Sequence, residues 1–293
     1  MNADRPIGIA GAGSIGCFVG GMLASSGRRV ALLARPRVIS EIEAHGLRVT
    51  SFDGADHKLA ANQMALSENP DVFADVGAVL VTVKSADTAA MADVISRHAA
   101  KDAVVVSLQN GVGNVARLRE RLPGRRVLGG MVPFNVIALG AGRFHRATSG
   151  DIVVEHDEAG TAAALSVAGL RMRESRNIEG VQWGKLLLNL NNALNALADL
   201  PLRQQIGKRP WRMLFADQVA EGLAAIGAAG IKTVSPTPIP MGFLPPLLPP
   251  VLPPPFPPPF PPPLPPPLPP VFPPALPPAT AVEPPAAGVD PPG

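Results

Sequence analysis

The sequence predicts an α/β fold: a doubly wound parallel sheet over residues 1–171, followed by a truncated all-α domain at 172–243 and a Pro-rich, disordered or polyproline II tail at 244–293. Three observations predict it. Short apolar runs alternate with helix-like segments, a glycine-rich turn follows the first of those runs, and the prolines are unevenly spread. Of the 36 prolines in 293 residues, 26 fall within 245–293, so the globular part and the tail are separate problems.

The apolar run Ile7–Ala10 reads as a strand that ends in Gly11-Ala12-Gly13-Ser14-Ile15-Gly16. The apolar stretch 17–24 then reads as a helix, stopped by Ser25-Ser26-Gly27, and 29–34 comes where the next parallel strand of a βαβ unit belongs. Residues 78–83 and 103–108 are further buried-strand candidates, with helical patterns at 88–98 and 113–122. After 125–132 the chain turns to Gly-punctuated β segments at 143–146 and 152–155. From 172 onward the pattern is helical, with 3.6-residue apolar periods over 178–200 and 205–231.

Composition narrows the function classes. The net charge is +3, and no basic run is interleaved with aromatics, which argues against a nucleic-acid surface and for a few cations facing an anionic ligand. The single cysteine, Cys17, excludes an intrachain disulfide and a multi-Cys zinc site. With no signal-like segment at the start, it predicts a cytoplasmic protein. No charge occurs between Lys232 and Glu283, but the dense prolines remove the backbone donors a membrane helix must satisfy internally, so no span is expected. A polyproline II chain rises ~3.1 Å per residue without internal hydrogen bonds, so the tail cannot complete a core.

In the turn at 11–16, glycine stands where the chain bends sharply, where backbone must approach a pyrophosphate, and where helix meets strand. Gly11, Gly13, Ser14, Ile15 and Gly16 are therefore the candidate dinucleotide-binding residues. An NAD site carries Asp or Glu about 20 residues on, at the end of the second strand. Residues 28–38 contain no acid but include Arg28, Arg29, Arg35 and Arg37. That favours a 2′-phosphate, hence NADPH, with Arg35 directly after the strand as its best partner.

Together with this fingerprint, Val83-Lys84-Ser85, Leu108-Gln109-Asn110-Gly111 and Trp183-Gly184-Lys185-Leu186 leading to Asn189 resemble, in order and spacing, the ketopantoate reductase (2-dehydropantoate 2-reductase) family of Rossmann-type enzymes with a helical C-terminal domain. The likeness covers about residues 5–243. It implies NADPH-dependent reduction of 2-dehydropantoate to (R)-pantoate, a step of pantothenate synthesis, with Lys185 as the catalytic acid. It further implies that Asn110 bridges cofactor and substrate, that Lys84 contacts the cofactor, and that Asn189 holds the substrate. Asn192, at i+7 from Lys185 on a continuous helix, is added by geometry alone. The implied partner is a small 2-oxo acid; a homodimer is left open.

Two departures stand out. Eight residues after Lys185, where some family members carry asparagine, this chain has Ala193. Family members also continue into helices bearing a substrate-binding Ser and a Glu that assists proton transfer, and this chain shows neither motif. Glu283, alone among prolines, is not assigned that role. A shifted reading frame would explain the abrupt loss of charge after Lys232 and would make this chain a truncated relative with little or no activity, while a paralogue reducing a different 2-oxo acid is the alternative activity. A natural Pro-rich interaction arm is the competing reading, disfavoured because no Lys or Arg flanks the prolines.

Overall fold

The computed structural model describes residues 4–236. The Pro-rich segment and its two competing origins lie outside the described residues. In chain order the elements are β1 (Ile7–Ala10), α1 (Ser14–Ser25), β2 (Val30–Leu33), α2 (Pro36–His45), β3 (Leu47–Ser51), β4 (Asp56–Leu59), β5 (Ala65–Ser67), β6 (Ala78–Val81), α3 (Thr88–His98), β7 (Val104–Ser107), α4 (Asn114–Arg121) and β8 (Val127–Met131). They continue with β9 (Val136–Gly140), β10 (Arg143–Arg146), β11 (Ile152–Glu155), α5 (Thr161–Leu165), β12 (Met172–Ser175), α6 (Ile178–Asn189), α7 (Asn191–Ala198), α8 (Leu202–Gly207) and α9 (Arg209–Ala228).

The main sheet runs β12-β11-β8-β7-β6-β1-β2-β5. From β5 to β8 all neighbours are parallel, while β11 pairs antiparallel with β8 and parallel with β12. Buried on both faces, the central strands are apolar except for Ser107 at the end of β7, and their period-2 alternation feeds two cores. Ile7, Ile9, Leu80, Val104 and Val106 pack with Phe18, Val19 and Met22 of α1. Ala10, Val79, Val81 and Val105 pack with Ile95 of α3 and Leu118 of α4. Consecutive strands run outward in both directions from β1 and β6, so the order reverses between these two, and the crevice at their carboxyl ends is where such sheets bind ligands.

Four expectations are corrected. The helical pattern expected from 172 begins later, because Met172–Ser175 is a strand paired with β11 and α6 starts only at Ile178. The strand expected over 78–83 ends at Val81, leaving residues 82–84 as a strand-end loop. A second sheet, β4-β3-β10-β9, was not foreseen at 47–51 and 56–59. Leu47, Val49 and Ser51 are buried there while Arg48 and Thr50 are only partly so, the alternation of a strand with one covered face.

The last correction concerns the helices. The one expected over 178–200 is two, meeting at Leu190, whose N–H is shared between the carbonyls of Leu186 and Leu187. The one expected over 205–231 is divided at Lys208, where extended backbone precedes Pro210 in the first turn of α9. Leu187, Leu194, Phe215, Val219 and Ile226 form the core of this helical part. Among the described residues no helix is long and apolar enough to cross a membrane.

Candidate active site

The glycine turn joins β1 to α1. Gly11 holds φ +108°, a conformation L side chains rarely adopt, and any side chain there would strike the Val83 backbone. At residue 16 an added Cβ would meet the Gly11 carbonyl, so strand and helix approach closely only because both positions are glycine. A Cβ at Gly13 would meet nothing within 4 Å, so that position faces open space. No side chain caps the first turn of α1, and its first intrahelical bond runs from the Cys17 N–H to the Gly13 carbonyl (2.8 Å). The amides before it point outward with the positive end of the helix dipole, which suits a pyrophosphate. Thr82 Oγ1 donates to the Gly11 carbonyl (2.6 Å) and ties the turn to the end of β6. Cys17 is buried, its thiol pushed up to about 12 by burial, so it is a core side chain and not a nucleophile.

Beside this turn lies a cleft of about 290 Å³ lined by Ile15, Thr82, Val83, Lys84, Ser85, Leu108, Gln109 and Asn110. It sits at the order reversal of the sheet, and Lys84 and Asn110, both exposed, belong to its wall. Arg35 stands beyond the end of β2, exposed, at the head of α2. Its neighbour Arg37 pairs with Glu41 (3.5 Å).

A hydrogen-bond network that the sequence reading did not single out joins the two loops of the cleft wall. Gln109 Nε2 donates to the Val83 carbonyl (3.0 Å) and to Thr88 Oγ1 (2.8 Å), while Ser107 Oγ donates to Gln109 Oε1 (3.0 Å). Thr88 Oγ1 donates to Asn114 Oδ1 (3.2 Å), and Asn114 Nδ2 donates to Ser85 Oγ (3.1 Å) and to the Asn110 carbonyl (3.0 Å). Ser85 Oγ also donates to the Asn110 carbonyl (3.2 Å). The one signal available in the sequence was polar residues at the starts of helices that follow strand ends.

Lys185 lies on α6 and does not line the cleft. It reaches the same edge of the sheet from the next strand: its Nζ donates to the carbonyl of Pro133 (3.2 Å), just past β8, and β8 is the neighbour of β7, from whose end Asn110 projects. Helix α6 is seated there by Gln182 Nε2, which donates to the Gly130 carbonyl (3.0 Å), and by Ile178, which packs where a side chain at Gly129 would be. Lys185 is half-buried, and burial alone holds its pKa below the ordinary lysine value. An ammonium that gives up its proton more readily than usual, with no carboxylate paired to it among the described residues, is a competent general acid.

Asn189 ends α6, one turn beyond Lys185 and half-buried. Asn192 lies past the interruption at Leu190, so the shared face argued from a continuous helix does not hold, and its side chain is exposed. Its neighbour Asn191 turns inward instead, accepting from Gln205 Nε2 (3.0 Å).

The ketopantoate reductase PanE/ApbA family matches residues 7–158. The 2-dehydropantoate 2-reductase of Halobacterium salinarum is 31% identical over 232 residues, which are 76% of this chain and 75% of that protein. Among solved structures, a PanE/ApbA family ketopantoate reductase from Ralstonia eutropha superimposes with a TM-score of 0.70 at 34% identity, covering 78% of this chain and 76% of its own. A 2-dehydropantoate 2-reductase from Geobacter metallireducens gives 0.72 at 27% identity, with 83% and 81% covered. A D-mandelate dehydrogenase solved with NADH and anilino(oxo)acetate shares the fold at 22% identity and a TM-score of 0.69, covering 83% of this chain and 79% of that one. The glycine turn, the cleft at the order reversal and these likenesses agree, and the chain belongs to the ketopantoate reductase family of nicotinamide-dependent oxidoreductases.

Proposed function

We propose that the chain is an NADPH-dependent reductase of 2-dehydropantoate, yielding (R)-pantoate for pantothenate synthesis in the cytoplasm. The observation that carries this reading is the half-buried Lys185 hydrogen-bonded at the end of β8, one strand from the cleft wall that bears Asn110 and Lys84. When bound, the nicotinamide cofactor supplies a hydride to the carbonyl carbon of a 2-oxo acid. The residues of the chain handle everything else.

The first-turn amides of α1, with Gly11, Gly13, Ser14, Ile15 and Gly16, hold the pyrophosphate, and the open space at Gly13 fits that task. Arg35, exposed at the end of β2 with no acid nearby in sequence, meets the 2′-phosphate and favours NADPH over NADH. Lys84 and Asn110 orient the cofactor from the cleft wall. Negative charge develops on the carbonyl oxygen as the ketone is reduced, and Lys185 stabilises that oxygen and delivers the proton to it. Asn189, a helical turn away, holds the substrate, and Asn192 has the weaker claim because it lies exposed beyond the helix break.

The test is oxidation of NADPH, followed by absorbance, with 2-dehydropantoate beside a panel of 2-oxo acids. The panel includes an aryl 2-oxo acid, since D-mandelate dehydrogenase shares the fold. Preferred turnover of 2-dehydropantoate supports the proposal. Preference for another 2-oxo acid replaces the substrate but keeps the reaction class, and an absence of turnover with NADPH bound refutes the reading for this chain.

A further inference from the structure

We propose that Asn114 is a positioning residue for the reactive half of the cofactor, acting through the two loops that form the cleft wall; the inference rests on the dinucleotide reading above. The argument is a count of hydrogens. The Gln109 amide has two N–H bonds, one spent on the Val83 carbonyl and one on Thr88 Oγ1. Having accepted that bond, the Thr88 hydroxyl turns its single hydrogen to Asn114 Oδ1. Both Asn114 N–H bonds then go to Ser85 Oγ and the Asn110 carbonyl, and the Ser85 hydrogen goes to the same carbonyl. Every donor is used and the network runs one way, from Ser107 inside the sheet to Asn110 at its edge. Ser107, Thr88, Gln109 and Asn114 are buried, where an unmatched polar group is costly.

Asn114 is the junction of this relay, because it accepts once and donates twice. Its two donations couple the loop after β6, which carries Lys84 and Ser85, to the loop after β7, which carries Asn110. An aspartate of the same shape still accepts from Thr88 but has no hydrogen for the Asn110 carbonyl. It also draws the Ser85 hydroxyl toward itself, so the carbonyl loses both donors at once. Arg35 lies across β1 from these loops, at the end of β2, and is untouched by the change. The relay therefore governs one end of the cofactor site and not the other.

The experiment titrates the full chain and its Asn114→Asp and Ser85→Ala variants with NADPH and with 2′,5′-ADP, which carries the 2′-phosphate but no nicotinamide, and records thermal midpoints. Expected is a loss of NADPH affinity of roughly tenfold or more in Asn114→Asp, equivalent to the loss of about one charge-free hydrogen bond or more. Affinity for 2′,5′-ADP stays within about twofold, and Ser85→Ala, which removes one donor at an exposed site, shows a smaller loss of NADPH alone. Unchanged NADPH binding in Asn114→Asp, or equal loss of both ligands, overturns the role assigned to Asn114. If Asn114→Asp does not fold, Ser85→Ala decides on the same two ligands, and a wild-type affinity for NADPH there overturns the relay. Failure of the unsubstituted chain to bind either nucleotide instead overturns the dinucleotide reading beneath it.

Discussion

The two halves of the described chain solve their packing differently. In the doubly wound sheet and the helices that flank it, the large apolar side chains are covered, and the polar groups of the cleft wall are matched donor to acceptor. In the helical part, Leu197, Leu202, Met213 and Leu214 are exposed, Leu197 at 78%. These side chains lie on α7, α8 and α9, so the helical part leaves apolar surface on three of its four helices. The first half is not wholly covered either, since Phe52, Ile137 and Leu139 are exposed at the second sheet. The contrast is that the cleft wall rests on the doubly wound core, whereas the half that brings Lys185 depends on how well α6 is held against β8. Lys185 belongs to the second half by sequence and to the first by its contacts.

The largest expected effect sharpens that contrast directly. Leu80, fully buried in the middle of the sheet, should cost about 2–5 kcal/mol of unfolding free energy when changed to alanine. Leu197→Ala on α7 should cost less than about 0.5 kcal/mol, as surface changes do. Urea unfolding of the two variants measures both, and equal losses would break the comparison. Next comes cofactor choice, assigned to the sheet half alone. Arg35→Ala should lower the preference for NADPH over NADH roughly 10- to 100-fold, the range for a hydrogen bond to a charged group. Binding titrations with both nucleotides read it, and an unchanged ratio would move the 2′-phosphate contact elsewhere.

A smaller effect lies at the junction and concerns pH. Burial disfavours the charged form of Lys185, so the folded chain releases that proton below the ordinary lysine pKa. Because the acid must be protonated, turnover should fall on an alkaline limb that begins below the ordinary value. The limb should be absent from residual activity in Lys185→Ala. For stability the sign is opposite: the unfolded chain binds this proton more tightly, so the cost of burying the charge is present below the lowered pKa and is relieved as pH rises through it toward the ordinary value. The limb is read in kcat/KM, which reports the enzyme before the anionic substrate binds, and a limb at or above the ordinary value there would contradict the lowered pKa.

Much of this architecture was legible in the residues, for reasons that differ by region. A parallel strand buried on both faces is a near-continuous apolar run, so Ile7–Ala10, Ala78–Val81 and the valines of Val104–Ser107 announce themselves. The second sheet hid because three of its strands are half polar, one of them, Asp56–Leu59, burying only Leu59, and because the fourth, Val136–Gly140, is apolar yet largely exposed. The break at Leu190 lies in a run of Leu, Ala and Asn without glycine or proline, so no local breaker marks it. Of the candidate site, the glycine turn, Lys84, Asn110 and Lys185 could be singled out because each sits at a strand end or on a recognisable motif. The relay through Gln109, Thr88 and Asn114 could not, since its bonds cross between loops that only the sheet brings together.

The most direct test of the account is a single turnover. NADPH is bound to the full chain and to Lys185→Ala, 2-dehydropantoate is added by rapid mixing, and the nicotinamide absorbance is followed. The account predicts that both bind NADPH and that oxidation in the variant is slower by roughly 10²- to 10⁴-fold, the contribution of a positioned acid. Equal rates in the two proteins would contradict the placement of the proton donor at Lys185, and with it the claim that α6 completes the site at the end of β8.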